Sequence, residues 1–293
     1  MISRRHYDLP LPGGRRLVLG PRTLVMGVLN VTPDSFAEAV PRLDPVQAAA
    51  DAHRMEAEGA DLIDIGGEST RPGAGPVTVE EELARVMPVI DRLRGRIGVP
   101  LAIDTSKAAV ARAALDAGVA IVNDVSGLRA DPALAGVVAA HGAALVLMHS
   151  RGTPRDMHHE ARYESLLDEV AAELRAAMAR AVEAGVPAAQ LILDPGIGFA
   201  KRPAHSYGVL AGLSALTPLD RPLLVGPSRK SFLCTAIGDV PAPERDWATA
   251  AAVTAAVLEG AHIVRVHAVH AMGQVVRVAD ELRRHADASA WTG

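Results

Sequence analysis

Leu191-Ile192-Leu193-Asp194-Pro195-Gly196-Ile197-Gly198-Phe199 decides how the rest of the chain is read. Three apolar residues end in an acid, and a proline and two glycines then stop the extended run and force a tight turn. Such a segment is a buried strand that delivers one carboxylate to its C-terminal end. Seven other places in the chain do something similar with a polar residue. Eight such strands suggest a closed α/β barrel, a (β/α)8 TIM barrel, with its chemistry on a single rim.

A five-fold recurrence sets this architecture. Glu58-Gly59-Ala60-Asp61-Leu62-Ile63-Asp64-Ile65 is echoed at Ala117–Asp124, at His141–Met148, at Ala184–Val186 running on to Leu191–Asp194, and at Glu259–Val266. Each time a helix ends on a glycine able to take φ > 0, and a strand apolar on both faces follows almost at once. The remaining strands are expected at Leu24–Leu29, Leu101–Asp104 and Pro222–Val225. Helices are expected at about Pro45–Glu58, Thr78–Leu93, Lys107–Ala117, Asp131–His141, Tyr163–Ala184, Asp246–Glu259 and Met272–Arg284. A further helix falls somewhere between His205 and Leu216, its ends blurred by Pro203 and Pro218. A doubly wound open sheet is the alternative, but no G-x-G-x-x-G turn follows the first strand. Residues 1–23 read as a short N-terminal hairpin or arm, 24–286 as one barrel domain and 287–293 as a tail.

Composition agrees. At 293 residues, 49% hydrophobic and 22% charged, the chain can bury a large core, and with 3% aromatics that core must be Ala, Val, Leu and Ile. A formal net charge of −4 argues against a nucleic-acid or anionic-membrane surface while leaving room for a local cationic pocket. Cys234 is the only cysteine, so no intrachain disulfide is possible. Met1–Leu11 has no apolar stretch of a secretory signal, and no run is long enough to span a membrane, so a soluble, cytoplasmic protein is expected.

The strand ends, taken in order, are Asn30, Glu68 with Ser69, Thr70 and Arg71, Asp104, Asn123 with Asp124, His149, Asp194, Ser228-Arg229-Lys230, and Arg265 with His267. Thr78, Asp131 and Ser106 are read as helix caps, and Ser69 and Asp124 fit either role. His149 and Phe36 fit structural roles as well as functional ones. His158 and His159 lack a third ligand spaced to join them and are read as loop surface. Asp104, Asn123, Asp194 and Lys230 put acceptors, an amide and a cation in one cavity. That set suits a flat heterocycle with a guanine-like edge, whose N–H and NH2 would bond bidentately to a carboxylate. Arg71, Arg265 and His267 suit a phosphate or diphosphate. Asn30, before Val31-Thr32-Pro33-Asp34-Ser35-Phe36, offers oxygens that a Mg2+ shared with a diphosphate could use.

Together these segments resemble the dihydropteroate synthase family. The resemblance is carried by Met26–Phe36, Asp64–Gly73, Ile103-Asp104-Thr105, Asn123–Gly127, Met148-His149, Asp194–Phe199, Ser228–Phe232 and Arg265-Val266-His267, and it runs from about Leu24 to Arg284. It implies the barrel, and a reaction that joins p-aminobenzoate to 6-hydroxymethyl-7,8-dihydropterin diphosphate by S_N1-like loss of diphosphate. It further implies that Asp104, Asn123, Met148, Asp194 and Lys230 hold the pterin, and that Thr70, Arg71, Arg265 and His267 hold the diphosphate. Thr70, Pro72, Phe199 and Ser228 would flank the p-aminobenzoate, where sulfonamides compete in this family. Asn30 would reach the Mg2+, Arg71, Lys230, Arg265 and His267 would carry the catalysis, and the assembly would be a homodimer.

The chain departs from the family pattern at Ala37-Glu38-Ala39-Val40, where Ser-Asp-Gly-Gly is usual, and at Ala200, Ser206 and Ala268. The altered first loop motivates a second reading, a pterin-binding relative with weak or no synthase activity. A third, a pterin-dependent methyltransferase domain, predicts no diphosphate site, and Arg265 and His267 speak against it.

Overall fold

The computed structural model describes residues 4–32, 44–69, 75–152 and 160–287. An antiparallel hairpin, β1 (Tyr7–Pro10) and β2 (Arg16–Leu19), precedes the barrel. Strands and helices then alternate: β3 (Leu24–Asn30), α1 (Pro45–Ala57), β4 (Leu62–Gly66), α2 (Val79–Leu93), β5 (Leu101–Asp104), α3 (Ala108–Asp116), β6 (Ile121–Asp124), α4 (Ala133–His141) and β7 (Ala144–Met148). The second half continues with α5 (Leu166–Glu183), β8 (Leu191–Asp194), α6 (Pro203–Ala211), β9 (Leu224–Val225), α7 (Cys234–Ile237), α8 (Asp246–Leu258), β10 (Ile263–Val266) and α9 (Val269–Asp287). The eight strands β3 to β10 form one parallel sheet in the order β8-β7-β6-β5-β4-β3-β10-β9. A parallel bridge from Leu193 to Leu223 brings the two edges together and rounds the sheet into the expected barrel.

The five glycines of the repeat all take the left-handed conformation, with φ of 97° at Gly59, 101° at Gly118, 58° at Gly142, 97° at Gly185 and 98° at Gly260. Element ends otherwise fall within a few residues of expectation, with two differences. Pro203 starts α6 instead of blurring it, because a proline at the first helical position lacks only an N–H that would be unpaired anyway. The helical stretch expected up to Leu216 breaks at Gly212 into a separate 3-10 segment, Leu213–Leu219.

Alternation along each strand sorts the apolar residues into two clusters. Leu29, Ile63, Ile65, Ile103, Val122, Leu145 and Leu147 face outward and pack under the helices. Met26, Leu62, Ala102, Ile121, Val146, Ile192, Leu224 and Ile263 fill the interior, where they meet Leu9, Leu17 and Leu19 of the hairpin. The hairpin is therefore a plug for the N-terminal mouth, which leaves only the C-terminal mouth open for polar chemistry.

Polar contacts lock the plug in place. The buried Arg4 guanidinium donates to Asp280 Oδ1 of α9 at 2.6 Å and to the Ala261 carbonyl at 2.5 Å. His262 Nδ1 accepts from the Leu223 N–H at 3.1 Å, which places its ring proton on Nε2, facing the Arg5 carbonyl at 3.1 Å. Burial pushes the His262 imidazolium down to about 4, so the ring is neutral at neutral pH.

Between pH 4 and 6.5 the unfolded chain takes up a proton at position 262 that the folded chain refuses. The His262 contribution to stability should therefore rise with pH across that window, by on the order of 2–3 kcal/mol, with His149 acting in the same direction and the raised Asp104 and Asp194 carboxyls acting against them. His262→Asn, which keeps an acceptor for the Leu223 amide, should make the slope of urea unfolding free energy against pH less positive, removing on the order of 2–3 kcal/mol of the change between pH 4 and 6.5. An unchanged slope would show that the plug tolerates a charged ring.

Candidate active site

Register builds the site. Asn30, Gly66, Asp104 and Asn123 are paired in sequence across β3, β4, β5 and β6, so their side-chain positions lie on one rung and face the same way. Gly66 has no side chain there; a Cβ on it would lie 3.5 Å from Asp104 and 3.6 Å from the Asn30 amide oxygen, so its absence opens the rung into a cavity. The cavity measures about 750 Å³, enough for a two-ring heterocycle and an adjoining aryl group. Asn30, Asp104, Asn123, Met148, Asp194 and Lys230 line it, as do Phe199, Ser228, Arg265 and His267. Every described residue expected at the site thus meets at one mouth of one barrel. Thr70, Arg71 and Pro72, and the first-loop residues Pro33 to Phe36, lie outside the described residues.

Two residues below that rung, and on the same inward face, Asp64 sits fully buried on β4. Its Oδ2 accepts from Arg265 Nε at 2.6 Å and from Asn123 Nδ2 at 2.8 Å. Arg265 Nη2 donates to Asp104 Oδ2 at 2.8 Å. The guanidinium expected to face a diphosphate is therefore braced on two acids, and it links them across the barrel from β10. Burial pushes the Asp104 carboxyl well above the ordinary carboxylate range, an effect Arg265 opposes. Burial works against the Arg265 charge as well, but Asp64 and Asp104 outweigh it and hold the group firmly protonated.

Asp194 ends β8, and its Oδ1 accepts from the Gly196 N–H at 2.7 Å. Gly196 is required there: φ is +69°, and a Cβ would fall 1.9 Å from the His149 carbonyl oxygen. Burial raises the Asp194 carboxyl, while Lys230 and the Gly196 amide pull it back. Lys230 donates to the Ile197 carbonyl and lies 4.7 Å from the centre of the Phe199 ring, a cation–π distance. Burial lowers Lys230 to about 8 against the pull of Asp194. Ser228 Oγ accepts from the His267 backbone N–H at 3.2 Å and lies 2.9 Å from His267 Nδ1. Arg229, between the two cavity residues, forms a bidentate pair with Asp246 of α8 at 2.7 and 2.8 Å and so fixes the turn that carries them.

Several expectations are corrected or resolved here. Ser106 is no helix cap: its hydroxyl donates to Asp124 Oδ1 at 2.8 Å, while the start of α3 is closed by Asp131 on the Ala108 amide at 2.8 Å. Asp124 is a loop anchor, accepting from Ser106, Ser126 N–H and Leu128 N–H. Thr78 caps α2 as expected. His149 is buried behind the cavity, and desolvation pushes it down to about 4. His158, His159 and Phe36 lie outside the described residues. Asp64 and Lys201 were missed. Asp64 lies inside a strand instead of at its end, and Lys201 follows the turn, so reading strand ends alone overlooks both; the inward parity of Asp64 with Gly66 was the available signal.

Comparison with known proteins agrees with this geometry. The family described as "Pterin binding enzyme" matches residues 26–267. The dihydropteroate synthase of Synechocystis is 45% identical over 280 residues, covering 95% of this chain and 97% of its own. A Yersinia pestis dihydropteroate synthase solved with a sulfonamide drug superposes with a TM-score of 0.90 at 41% identity, covering 95% of this chain and 99% of that one. A Burkholderia cenocepacia dihydropteroate synthase complexed with 7,8-dihydropteroate gives 0.84 at 42% identity, covering 96% and 98%.

Asp64→Ala would strand the Arg265 guanidinium and the Asn123 amide in the interior. Breaking a buried pair in this way costs about 3–5 kcal/mol, so urea unfolding should show a loss of that order. A loss below about 1 kcal/mol, within the range of ordinary surface changes, would mean that Arg265 is held by other groups.

Proposed function

The chain belongs to the family of pterin-binding enzymes, and from that premise we infer that it catalyses the dihydropteroate synthase reaction, the step of folate biosynthesis joining 6-hydroxymethyl-7,8-dihydropterin diphosphate to p-aminobenzoate. The products are 7,8-dihydropteroate and diphosphate. The observation that carries this reading is the single cavity in which buried acids, an amide and two cations meet at the open mouth of the barrel. Asp194 would accept the N–H and NH2 edge of the pterin, with Asn123, Asp104 and Lys230 around the remaining ring atoms and Met148 against its face. Phe199, Ser228, Thr70 and Pro72 would flank the arylamine.

No protein nucleophile is required. The pterin ring can spread the positive charge left as the carbon–oxygen bond to diphosphate breaks, so an S_N1-like departure is favoured. Arg71, Arg265 and His267 would stabilise the leaving diphosphate. The arylamine then attacks the exposed methylene, and holding it beside that carbon supplies much of the rate. Mg2+ fits as a companion of the substrate and not as a resident ion. Among the described residues no cluster of three or more His, Cys, Asp or Glu could hold one, whereas Asn30 gives one oxygen near Asp104. Mg2+ is commonly held by one or two protein groups together with substrate phosphates, and it would neutralise diphosphate charge there.

The expected homodimer is part of this proposal, and exposed apolar residues on α8 and α9 support it: Trp247, Val278 and Leu282 stand out from these two packed helices. So is the cytoplasmic location; among the described residues, no helix is long and apolar enough to cross a membrane. The reading as a binding relative without synthase activity rests on residues 37–40, outside the described ones, and no observed contact favours it.

Purified protein given the pterin diphosphate should release diphosphate in the presence of p-aminobenzoate and form dihydropteroate in equal amount. Pterin binding without any turnover would support the binding relative instead. Asp194→Ala should weaken pterin affinity by about 30-fold or more, since removing one partner of a buried charged hydrogen bond costs about 2–5 kcal/mol. Unchanged affinity in calorimetry would remove Asp194 from the pterin site.

A further inference from the structure

The cavity that holds Asp194 is lined by a second buried ammonium that the reading above does not use. Lys201 is 3% exposed and lines the cavity. Its Nζ donates to His149 Nδ1 at 2.8 Å and to the Phe199 carbonyl at 3.2 Å. An ammonium group can only donate, so His149 Nδ1 is the acceptor and the ring proton sits on Nε2. That nitrogen lies 3.1 Å from Glu173 Oε2, close but out of line for a good hydrogen bond. Glu173 is in turn paired with Arg151, whose guanidinium stacks 4.2 Å over the Tyr163 ring, and Tyr163 donates to the Ala200 carbonyl beside Lys201 at 2.9 Å. A lysine in the interior is thus oriented by a row of groups leading from α5 at the surface to the floor of the site.

Charge explains why it is there. Two buried acids, Asp104 and Asp194, line the cavity and a third, Asp64, lies just beneath it, with Arg265 and Lys230 among the cations facing them. At the rim, Lys107 bridges Glu68 and the buried Glu82, and Arg229 pairs with Asp246. Lys201 adds a further cation to that wall, and it acts on Asp194 in the direction that keeps it ionised. Burial drives Lys201 down to about 7, with Asp194 and Glu173 resisting and Lys230 and Arg151 reinforcing the fall. The group therefore changes charge within the neutral range, while His149 stays neutral.

We propose that Lys201 is a positioning residue of the pterin subsite: held by His149 and Glu173, its ammonium ion keeps Asp194 a carboxylate able to accept the pterin N–H edge. This inference rests on the assignment of the cavity to a pterin.

The test is the affinity of the whole protein for 6-hydroxymethylpterin from pH 5.5 to 9, measured by pterin fluorescence for the wild type, Lys201→Met and Glu173→Gln. The ligand's own titration is common to all three, so differences belong to the protein. Lys201→Met should bind about tenfold more weakly than the wild type near pH 6, where the ammonium is present, because a nearby opposite charge shifts a carboxylate by at least about one pKa unit. The two should converge near pH 9, where the wild-type amine is neutral. Glu173→Gln, on the half-exposed end of the row, should move the point of convergence to lower pH. It carries the test alone should Lys201→Met not fold. An equal loss at every pH would mark Lys201 as structural only, and an unmoved profile in Glu173→Gln would overturn the proposal. Wild-type protein that failed to bind the pterin at any pH would instead overturn the assignment of the cavity.

Discussion

Arg265, clamped between Asp64 and Asp104, is the contact on which the rest of the site depends. Removing a carboxylate or a guanidinium from water costs several kcal/mol per ion, so none of these three groups could stay charged in the barrel alone. Their distances of 2.6 and 2.8 Å make each one a condition for the others. Because Asp64 also holds the Asn123 amide, strands β4, β5, β6 and β10 are tied together through one guanidinium. Under the proposed function, the groups assigned to the pterin and the guanidinium assigned to the diphosphate are thus a single electrostatic unit. Occupying one half of the cavity is expected to be felt in the other.

The fold makes that unit possible by segregation. A parallel barrel alternates inward and outward residues, and here the inward ones are apolar at the start of each strand and polar toward the C-terminal end, with Asp64 one inward step before the last. The hairpin closes the lower mouth with leucines, and the Arg4–Asp280 pair ties the hairpin to the last helix. Water is excluded from below, so the charged layer above sits on a dry floor of low polarity. That floor strengthens the attraction among the charges and shifts the buried acids and amines away from their ordinary ranges. The same segregation leaves the open mouth as the route for substrates.

Much of this was legible in the chain. Helix-ending glycines followed by apolar runs gave five of the eight strands, and all five take the left-handed conformation that the reading required. Polar strand ends gave Asp104, Asn123, Asp194, Lys230 and Arg265, because a strand stopped by a polar residue at the rim has few other reasons to stop there. Asp64 escaped because its strand continues beyond it, and only the two-residue period, counted back from Gly66, places it inward. Lys201 escaped for a different reason: which way a side chain leaves an irregular turn is set by packing against His149, a contact 52 positions distant in sequence. Ser106 was misassigned because a serine before a helix serves equally well as a cap or as a donor to a neighbouring acid. The choice fell to Asp124 once the barrel had placed it alongside.

The claim that Asp104 and Arg265 act as one unit is tested most directly by a double-mutant cycle. Pterin affinity would be measured for the wild type, Asp104→Asn, Arg265→Met and the double variant. The account predicts strong non-additivity, with a coupling of about 1–3 kcal/mol, since each single change leaves the partner charge unbalanced in the interior. Losses that add to within about 0.5 kcal/mol would show that the two residues contribute independently, and the central contact would then be a feature of packing alone.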